Sequence, residues 1–261
     1  MVKVTVVKIG GQAFEDLEKF KKTLTVFSEI EGYKVLVHGG GCKATSIATQ
    51  LGIESKMVNG RRITDRNMLD VVTMVYGGLV NKQIVAGLQS LGVNALGLTG
   101  ADLNCIFSKK RPVKGKEVDY GFVGEVKEVN TDLFADLISK GVVPVLAPLT
   151  HDKKGNLLNT NADTIAAEVA MALSTYFEVS LIYCTEKKGV LMDTNDENSL
   201  ISQITKSDFK NGVSDGTITG GMIPKLENAF CAIESGVKEV LITSTHKESK
   251  ILIISGTKVV G

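Results

Sequence analysis

The order of strand-like and helix-like segments most narrows the folds open to this chain of 261 residues. Short runs rich in Val, Ile and Leu alternate along it with longer amphipathic stretches. Such alternation is typical of an α/β fold in which helices cover both faces of a mainly parallel sheet. The predicted strands are residues 2–9, 34–38, 93–98, 142–147, 179–183 and 239–243, and the predicted helices are residues 14–30, 43–51, 65–91, 132–140, 161–173 and 222–235.

Two regions interrupt this alternation. Residues 105–129 and residues 151–158 contain short apolar runs separated by glycine, which predicts β-hairpins. No change of composition marks a domain boundary, so we place it near Thr175, where a predicted helix ends before the next strand. This boundary divides the chain into an N-terminal lobe of residues 1–175 and a C-terminal lobe of residues 176–261.

The predicted helix over residues 65–91 is apolar around most of its circumference. A helix of this kind must be covered on more than one side. Two explanations stay open: the helix is buried inside one chain, or its second face forms a homodimer interface. Its apolar residues include Met68, Leu69, Val71, Val72, Met74, Val75, Leu79 and Val80.

The overall charge argues against a nucleic-acid-binding protein. The formal net charge is +1, and the sequence contains no basic stripe interleaved with aromatic residues. The densest basic run, Lys109-Lys110-Arg111, is short and is expected to lie in a solvated loop. An anionic substrate must therefore be held by charge that is concentrated at one site.

Cysteine spacing and the N-terminal sequence bear on the compartment. The four cysteines lie far apart, without a Cys-x-x-Cys pair, which argues against a structural zinc site and a disulfide framework. The N-terminal run alternates like a strand and has no secretory-signal pattern. No apolar stretch approaches the roughly 18 residues that span a membrane. We therefore expect a cytoplasmic protein without a membrane segment.

The first candidate site is Lys8 with the glycines that follow it, Gly10 and Gly11. The first predicted strand delivers the Lys8 ammonium to the carboxyl edge of the sheet, where open α/β folds bind ligands. The glycines let a ligand approach the backbone and contact its N–H groups. Taken alone, the same pattern also fits an ordinary tight turn.

A second glycine-rich turn, His38-Gly39-Gly40-Gly41, connects a predicted strand to a helix. Its amides and the positive end of the helix dipole suit an anion. Gly39, Gly41 and Ala44 also satisfy the dinucleotide fingerprint, so an NAD(P)-binding oxidoreductase stays an alternative. Against that alternative, no second strand ends in an acidic residue about twenty positions later.

Two polar segments add candidate substrate ligands. Arg61 and Arg62 precede a predicted helix, and guanidinium groups suit bidentate recognition of a carboxylate. Asn159, Asn161 and Asp163 stand where another predicted helix begins. Asn161 alone is an ordinary N-cap, and Asp163 alone is an ordinary first-turn acid. The spacing also directs Asn159 and Asp163 to one side of the helix start, where they can hold a carboxylate and orient lysines.

The last candidate is Lys225, in the first turn of a predicted helix that follows Gly220 and Gly221. A cation at this end opposes the helix dipole, and a nearby anion explains its position better than solubility does. The sequence contains no Walker-type phosphate loop and no protein-kinase, nucleophile-elbow or His-Glu-x-x-His motif. The chain is therefore not expected to be a Walker-type ATPase.

Taken in chain order, seven motifs resemble the amino-acid kinase family, and within it the branch that phosphorylates N-acylated glutamate. The resemblance covers nearly the whole chain, and the order of the seven motifs makes it specific. The motifs are Lys8-Ile9-Gly10-Gly11, His38-Gly39-Gly40-Gly41, Asn59-Gly60-Arg61-Arg62-Ile63-Thr64, Gly97-Leu98-Thr99-Gly100-Ala101-Asp102, Val123-Gly124-Glu125-Val126, Asn159-Thr160-Asn161-Ala162-Asp163 and Gly220-Gly221-Met222-Ile223-Pro224-Lys225.

The resemblance implies a three-layer α/β/α sandwich, with an N-terminal lobe for acyl-amino-acid binding and dimerisation and a C-terminal lobe for nucleotide binding. It implies transfer of the γ-phosphoryl group of ATP to the γ-carboxylate of N-acetyl-L-glutamate in arginine biosynthesis. The implied cofactors are ATP and Mg²⁺, with the metal held mainly by the nucleotide phosphates and not by a protein site. A homodimer is the implied assembly.

The resemblance also assigns roles to single residues. Lys8 and Lys225 are expected to flank the moving phosphoryl group, and Asp163 is expected to position both lysines. The implied substrate-binding residues are Gly40, Gly41, Arg62, Asn159 and Asn161, and the implied nucleotide-binding residues are Gly10, Gly11, Thr185, Gly189, Gly220, Gly221 and Met222.

The residue types of the motifs agree with this chemistry. Both reactants are anions, and the transition state of phosphoryl transfer spreads negative charge over the phosphoryl oxygens. A carboxylate nucleophile is already ionised at neutral pH and needs no general base, so the site must supply positive charge and positioning. Because the acyl-phosphate product reacts with water, we predict that the hairpins close over the substrate.

Three departures from the family pattern carry expectations. The family's acidic residue after the nucleotide-lobe strand is replaced within residues 183–190, which leaves the adenine and ribose contacts open. Residues 244–255 are fewer than the family's loop and helix at this point. No helix precedes Val2, and in this family such a helix accompanies arginine inhibition and hexamers. We therefore expect an arginine-insensitive dimer.

The acyl group of the substrate stays open at this point. N-succinylglutamate or an N-acylated aminoadipate fits the same motifs, because ordinary side chains are expected to shape the acyl pocket. A catalytically silent amino-acid sensor is a further alternative. A sensor, however, has no need to keep Lys8, Asp163 and Lys225 together.

Overall fold

Strands and helices alternate along the chain, in a computed structural model that describes residues 1–14, 16–58, 60–113, 118–244 and 256–261. Motif residue Asn59 and most of segment 244–255 lie outside these ranges. The strands are β1 (Lys3–Ile9), β2 (Tyr33–His38), β3 (Met57–Val58), β4 (Arg61–Arg62), β5 (Ala95–Leu98), β6 (Ile106–Lys110), β7 (Gly124–Val129), β8 (Val143–Leu146), β9 (Leu149–His151), β10 (Leu157–Asn159), β11 (Glu178–Thr185), β12 (Gln203–Ile204), β13 (Glu239–Ser244) and β14 (Thr257–Val259). The helices are α1 (Leu17–Ser28), α2 (Gly41–Gln50), α3 (Arg66–Val72), α4 (Asn81–Ser90), α5 (Thr131–Ser139), α6 (Ala162–Leu173), α7 (Lys206–Ser214) and α8 (Met222–Glu234).

An eight-stranded sheet forms the centre of the molecule, in the order β12-β14-β13-β11-β1-β2-β8-β5. Its pairs are parallel except for β13 with β14, which run antiparallel. Helices pack on both faces of this sheet. The predicted α/β fold with a mainly parallel sheet is therefore confirmed.

Two smaller sheets stand beside the central one. One has the order β10-β9-β6-β7, and the other joins β3 to β4. In the first, β6 pairs antiparallel with β7 and β9 pairs antiparallel with β10. Both predicted hairpins are thus confirmed. Beyond β6, Arg111 pairs with Glu125 at 3.6 Å, so this end of the basic run is bound to the neighbouring strand and is not simply solvated.

Alternation within the strands divides the core between the two faces of the central sheet. In β1, Val4 and Val6 pack with residues of α5, α6 and α8 on one face. Val7 and Ile9 pack with residues of α1, α2, α3 and α4 on the other face. Lys8 shares the face of Val4 and Val6, so the two-residue period of the strand directs it towards α6 and α8.

Side-chain caps fix the points at which helices begin. Asp16 accepts hydrogen bonds from two backbone N–H groups of the first turn, so α1 begins at Leu17 and not at the predicted residue 14. Helix α7 was not predicted from the sequence. A capping box between Thr205 and Asp208 starts it, and that pair was the signal available in the sequence.

Residues 66–90 form one helix of 25 residues, in which a π-helical segment, Thr73–Val80, joins α3 to α4. This helix is apolar enough to cross a membrane by length and composition, contrary to the expectation from the sequence. Core helices of soluble proteins meet the same test, and Val75 and Ile84 pack here into the core beside the central sheet. Met74 and Leu79 are 55% and 37% exposed, so part of the apolar surface is uncovered within one chain.

The lobe boundary near Thr175 falls between α6 and β11. The central sheet crosses this boundary, because β1 pairs with β11 along its whole length. The carboxyl ends of strands from both proposed lobes therefore lie at one edge of a shared sheet. The division into residues 1–175 and 176–261 stays a prediction.

Candidate active site

The candidate site lies where β1 ends and α6 and α8 begin. The Lys8 ammonium nitrogen lies 2.8 Å from Asp163 Oδ1, and the Lys225 ammonium nitrogen lies 2.7 Å from Asp163 Oδ2. Lys8 comes from β1, Asp163 from the first turn of α6 and Lys225 from the first turn of α8. Three residues that are far apart in the sequence thus form one cluster, with one lysine on each oxygen of the carboxylate.

Burial makes this cluster electrostatically strong. The side chains of Lys8, Asp163 and Lys225 are 12%, 13% and 8% exposed. Burial alone raises the pKa of the Asp163 carboxyl, but the charges of the two lysines outweigh it and leave that pKa well below its ordinary value. Burial lowers the pKa of Lys225, and Asp163 offsets part of that lowering. Two ammonium groups facing one carboxylate leave a surplus positive charge for an anionic ligand.

The two glycine-rich turns beside this cluster pack backbone against backbone. The Gly39 N–H donates to the Ile9 carbonyl oxygen at 2.8 Å. A Cβ atom on Gly11 would lie 2.8 Å from the Gly40 nitrogen, and one on Gly40 would lie 2.8 Å from the Tyr76 ring. Close packing therefore requires glycine at position 11, against backbone, and favours it at position 40, against a ring, whatever ligand the turns bind.

His38 supports the second turn from behind and is completely buried. Its Nδ1 lies 2.7 Å from the Gly39 carbonyl oxygen, and the Asn81 amide donates to its Nε2 at 3.1 Å. These partners favour the neutral tautomer with the proton on Nδ1. Burial lowers the pKa of His38 to about 4, so the ring is uncharged at neutral pH.

A cavity of about 190 Å³, called the acceptor cavity here, opens on one side of Lys8 and Asp163. Sequence reasoning overlooked Met57 and Tyr76, which also line it. Both come from elements that are distant in sequence from the motifs, and no local pattern marked either of them. All the predicted substrate-binding residues line this cavity: Gly40, Gly41, Arg62, Asn159 and Asn161.

Hydrogen bonds inside the protein hold Arg62 in the wall of the acceptor cavity. Its guanidinium donates to the Gly41 carbonyl oxygen and to Thr45 Oγ1, each at 2.9 Å, and also to Ser55 Oγ. The residue is buried, with 7% of its surface exposed. A buried and fixed guanidinium is suited to a carboxylate because little of its freedom remains to be lost on binding.

The two asparagines of this cavity are also held by internal contacts. Asn159 donates to Thr64 Oγ1 at 2.9 Å. Asn161 caps α6, since its side-chain oxygen accepts a hydrogen bond from the Thr164 N–H at 3.0 Å. The sequence predicted this cap, and the structure confirms it. The Asn161 side chain thus stabilises the start of α6, and the Asn159 side chain is held beside the cavity.

A larger cavity of about 640 Å³, called the donor cavity here, lies on the other side of the lysine pair. Lys8 and Asp163 line this cavity as well, and Lys225 joins them. Of the predicted nucleotide-binding residues, Gly10, Thr185, Gly221 and Met222 line it. Sequence reasoning did not assign five charged or amide-bearing residues that also line it: Gln12, Asp16, Lys19, Glu186 and Lys187.

Three predicted nucleotide-binding glycines are not among the described residues that line the donor cavity. Gly11 packs on Gly40, as described above. Gly220 has a φ of +56° in the turn before α8, a left-handed conformation that favours glycine. A Cβ atom on Gly189 would lie 2.6 Å from Thr257 Oγ1, so that glycine permits close packing on β14. Their contact with a nucleotide stays a prediction.

The lysine–carboxylate–lysine cluster between the two cavities is suited to binding anionic groups. The chain belongs to the amino acid kinase family, whose sequence profile matches residues 3–244. It is 65% identical over 247 residues to acetylglutamate kinase of Parabacteroides distasonis, covering 95% of this chain and 96% of that protein. It is 67% identical over 241 residues to acetylglutamate kinase of Bacteroides thetaiotaomicron, covering 92% and 93%.

A solved structure shows the same architecture. The crystal structure of smu.665 from Streptococcus mutans UA159 matches with a TM-score of 0.81 at 29% sequence identity, covering 98% of each chain. The comparisons establish that the chain is a kinase of amino-acid biosynthesis. The NAD(P)-binding oxidoreductase and the silent sensor, kept open from the sequence, are therefore set aside.

Proposed function

We propose that this kinase transfers the γ-phosphoryl group of ATP to the γ-carboxylate of N-acetyl-L-glutamate, a step of arginine biosynthesis. The observation that carries the proposal is that Lys8 and Asp163 line both cavities. Substrates bound in the two cavities meet at these side chains. The acetylglutamate kinases at 65% and 67% identity support the choice of acceptor.

In the acceptor cavity, Arg62 and Asn159 hold the α-carboxylate of the substrate. The fixed guanidinium of Arg62 supports this role, because it is oriented before the substrate arrives. The amides of Gly40 and Gly41, at the start of α2, bind the attacking γ-carboxylate. Asn161 borders the cavity and keeps the start of α6 in place.

In the donor cavity, the backbone of Gly10 receives the phosphates of ATP, Gly11 continues this turn outside the cavity lining, and Thr185 and Met222 contact the rest of the nucleotide. Gly189, Gly220 and Gly221 shape the turns beside it. Mg²⁺ accompanies ATP and is held mainly by the nucleotide phosphates, whose oxygens are the ligands this cation prefers. Among the described residues, no cluster of three or more His, Cys, Asp or Glu side chains is placed to hold a metal.

The chemical step needs charge stabilisation more than proton transfer. An oxygen of the γ-carboxylate forms a bond to the γ-phosphorus, while the bond from that phosphorus to the β,γ-bridging oxygen breaks and ADP leaves. Lys8 and Lys225 stabilise the negative charge on the transferred group and the leaving oxygen. Asp163 holds both ammonium groups in position, and no general base is required.

We also infer a cytoplasmic homodimer. The long helix of residues 66–90 supports the dimer, because Met74 and Leu79 leave apolar surface uncovered within one chain. Sedimentation of the wild type is expected to give twice the chain mass of 27.9 kDa, and Met74→Asp is expected to shift it to the monomer. A wild-type monomer at micromolar concentration contradicts the inference. Activity in millimolar arginine tests the expected insensitivity to that amino acid.

N-succinyl-L-glutamate is a second candidate acceptor, and Arg61 favours it. Arg61 lines the acceptor cavity and is half-buried. Burial and the charge of Arg111 lower the pKa of its guanidinium, and no carboxylate in the described ranges lies within ion-pair distance of it. The acetyl group is neutral, whereas a succinyl group brings a carboxylate that can pair directly with the Arg61 guanidinium.

Acyl-phosphate formation tests the acceptor directly. The purified chain, Mg-ATP and one acceptor are incubated with hydroxylamine, and the hydroxamate is measured for N-acetyl-L-glutamate, N-succinyl-L-glutamate and N-acetyl-aminoadipate. Turnover with an N-acylglutamate is expected. Turnover with none of the three contradicts the proposed function.

Arg61→Ala separates the two candidate acceptors. If the succinyl carboxylate pairs with Arg61, kcat/KM for the succinyl substrate is expected to fall roughly 10-fold or more, as for a lost charged hydrogen bond. The value for the acetyl substrate is expected to stay within about twofold. Equal losses with both acceptors remove the case for a succinyl substrate.

A further inference from the structure

Tyr183 lies beneath the lysine pair and has no role in the site as described above. It is completely buried on β11, and its hydroxyl donates to the backbone carbonyl oxygen of Asp163 at 3.1 Å. The Lys225 ammonium nitrogen lies 4.8 Å from the centroid of its ring. In the parallel register of β1 with β11, Tyr183 is the partner of Lys8, so both side chains project from the same face.

The charges of the cluster explain what an aromatic ring adds there. Two ammonium groups share one carboxylate in a mostly buried place, so one positive charge lacks a full partner. A second carboxylate would supply that partner but would also repel the phosphates of ATP. The face of an aromatic ring attracts a cation through its quadrupole and carries no net charge. A ring therefore supports the Lys225 ammonium and leaves the surplus charge for the phosphoryl group.

The hydroxyl of Tyr183 contributes separately from the ring. Burial raises the pKa of this phenol well above its ordinary value, and the charge of Asp163 adds to the effect. The group thus stays protonated and acts as a donor at every working pH. Its hydrogen bond ties the first turn of α6 to β11, and that turn carries the Asp163 carboxylate.

We propose that Tyr183 is a positioning residue for phosphoryl transfer: its ring keeps the Lys225 ammonium protonated and in place, and its hydroxyl fixes the backbone that carries Asp163. The catalytic half of this inference rests on the proposed function. The contact between the ring and Lys225 does not, so it is measured independently of turnover.

The protonation of Lys225 is the first readout. Carbon-13 NMR of labelled lysine follows each Cε resonance with pH, and Lys225→Arg assigns the peak by its loss. In Tyr183→Leu the Lys225 resonance is expected to titrate about one pH unit lower than in the wild type, because the ring no longer favours the cation. In Tyr183→Phe it is expected to titrate as in the wild type. An unchanged titration in a folded Tyr183→Leu chain overturns the proposal.

Turnover is the second readout. The alkaline limb of the kcat profile for N-acetyl-L-glutamate is expected to move to lower pH in Tyr183→Leu, and kcat at pH 8 is expected to fall about 10-fold with little change in KM. Phe230→Leu is the matched control, because Phe230 is an aromatic residue buried in the same core whose ring packs on Phe209. It is expected to lower stability and to leave the alkaline limb in place. If both leucine variants move the limb equally, Tyr183 is only a core residue.

A variant that keeps the shape of the ring covers the case in which Tyr183→Leu does not fold. Phenylalanines with increasing fluorination at position 183 weaken the ring quadrupole at nearly constant size. The Lys225 titration and the alkaline limb are expected to move to lower pH stepwise with fluorination. A series without that trend contradicts the role of the ring, even if wild-type turnover is normal. Absence of wild-type turnover counts against the proposed function alone.

Discussion

The acceptor cavity and the donor cavity meet at the same two residues and are built in different ways. The acceptor cavity is small, at about 190 Å³, and hydrogen bonds within the protein fix its polar side chains. The donor cavity has about 640 Å³ and is lined by glycine turns and by residues 184–187 after β11. Under the proposed function, this difference means that the acceptor is selected by a pre-organised wall, whereas ATP is held through backbone groups and the lysine pair.

A substitution at the boundary between the two cavities is expected to cause the largest loss of kcat. Asp163→Asn leaves two buried ammonium groups without a countercharge, so kcat is expected to fall roughly 10²- to 10³-fold. Asp136→Asn, at an exposed position of α5, is the control and is expected to keep the wild-type rate. Circular dichroism shows whether each variant folds. A folded Asp163→Asn enzyme with more than a tenth of wild-type kcat contradicts the role given to Asp163.

The buried imidazole of His38, behind the glycine turn of the acceptor cavity, predicts that the stability of the protein depends on pH. The pKa of buried His38 is lowered to about 4 from its ordinary value, so the unfolded chain binds a proton that the folded chain does not bind. The free energy of unfolding is therefore expected to decline as pH falls from about 6.5 to about 4, by roughly 3 kcal/mol from this group. Urea unfolding at several pH values measures it, and His38→Gln should flatten the decline. Equal slopes for the two chains contradict this origin.

A substitution in the wall of the acceptor cavity is expected to change KM for the acceptor and not KM for ATP. Arg62→Lys loses the planar fork that bonds to Gly41 and Thr45, so KM for the acceptor is expected to rise roughly 10- to 100-fold. KM for ATP is expected to stay within about twofold. Steady-state kinetics with each substrate varied in turn decides the point. A comparable rise in both KM values argues that the cavities are not separate.

A smaller effect is expected at the glycine turn. Gly40→Ala places a methyl group 2.8 Å from the Tyr76 ring, so the turn must shift, and kcat/KM for the acceptor is expected to fall several-fold. Gly78→Ala, in the long helix that carries Tyr76, is the control, because a Cβ atom there meets nothing within 4 Å. Steady-state kinetics and thermal unfolding of the two variants measure the difference. Equal behaviour of the two variants shows that the close approach at Gly40 does not matter.

Local sequence patterns predicted the site residues whose position is determined by a single helix or strand. The strand that contains Lys8, the cap at Asn161 and the glycines before α8 each have a local sequence pattern, and the structure brings Lys8, Asp163 and Lys225 together. The α/β fold followed from the alternation of elements for the same reason.

The residues that sequence reasoning overlooked depend on contacts between distant elements. Tyr183 reaches the site through the register of β1 with β11, and Tyr76 reaches it through the packing of the long helix on Gly40. Glu186 and Lys187 line the donor cavity from the segment after β11, where no local pattern marked them. Register and packing distances depend on pairs of segments and not on any single one, so no local sequence pattern predicts these contacts.

The most direct test is a crystal structure with a non-hydrolysable ATP analogue and N-acetyl-L-glutamate bound together. The γ-phosphate is expected in the donor cavity and the γ-carboxylate in the acceptor cavity, with the Lys8 ammonium within hydrogen-bonding distance of both. A nucleotide bound elsewhere, or substrates that meet away from Lys8 and Asp163, contradicts the account.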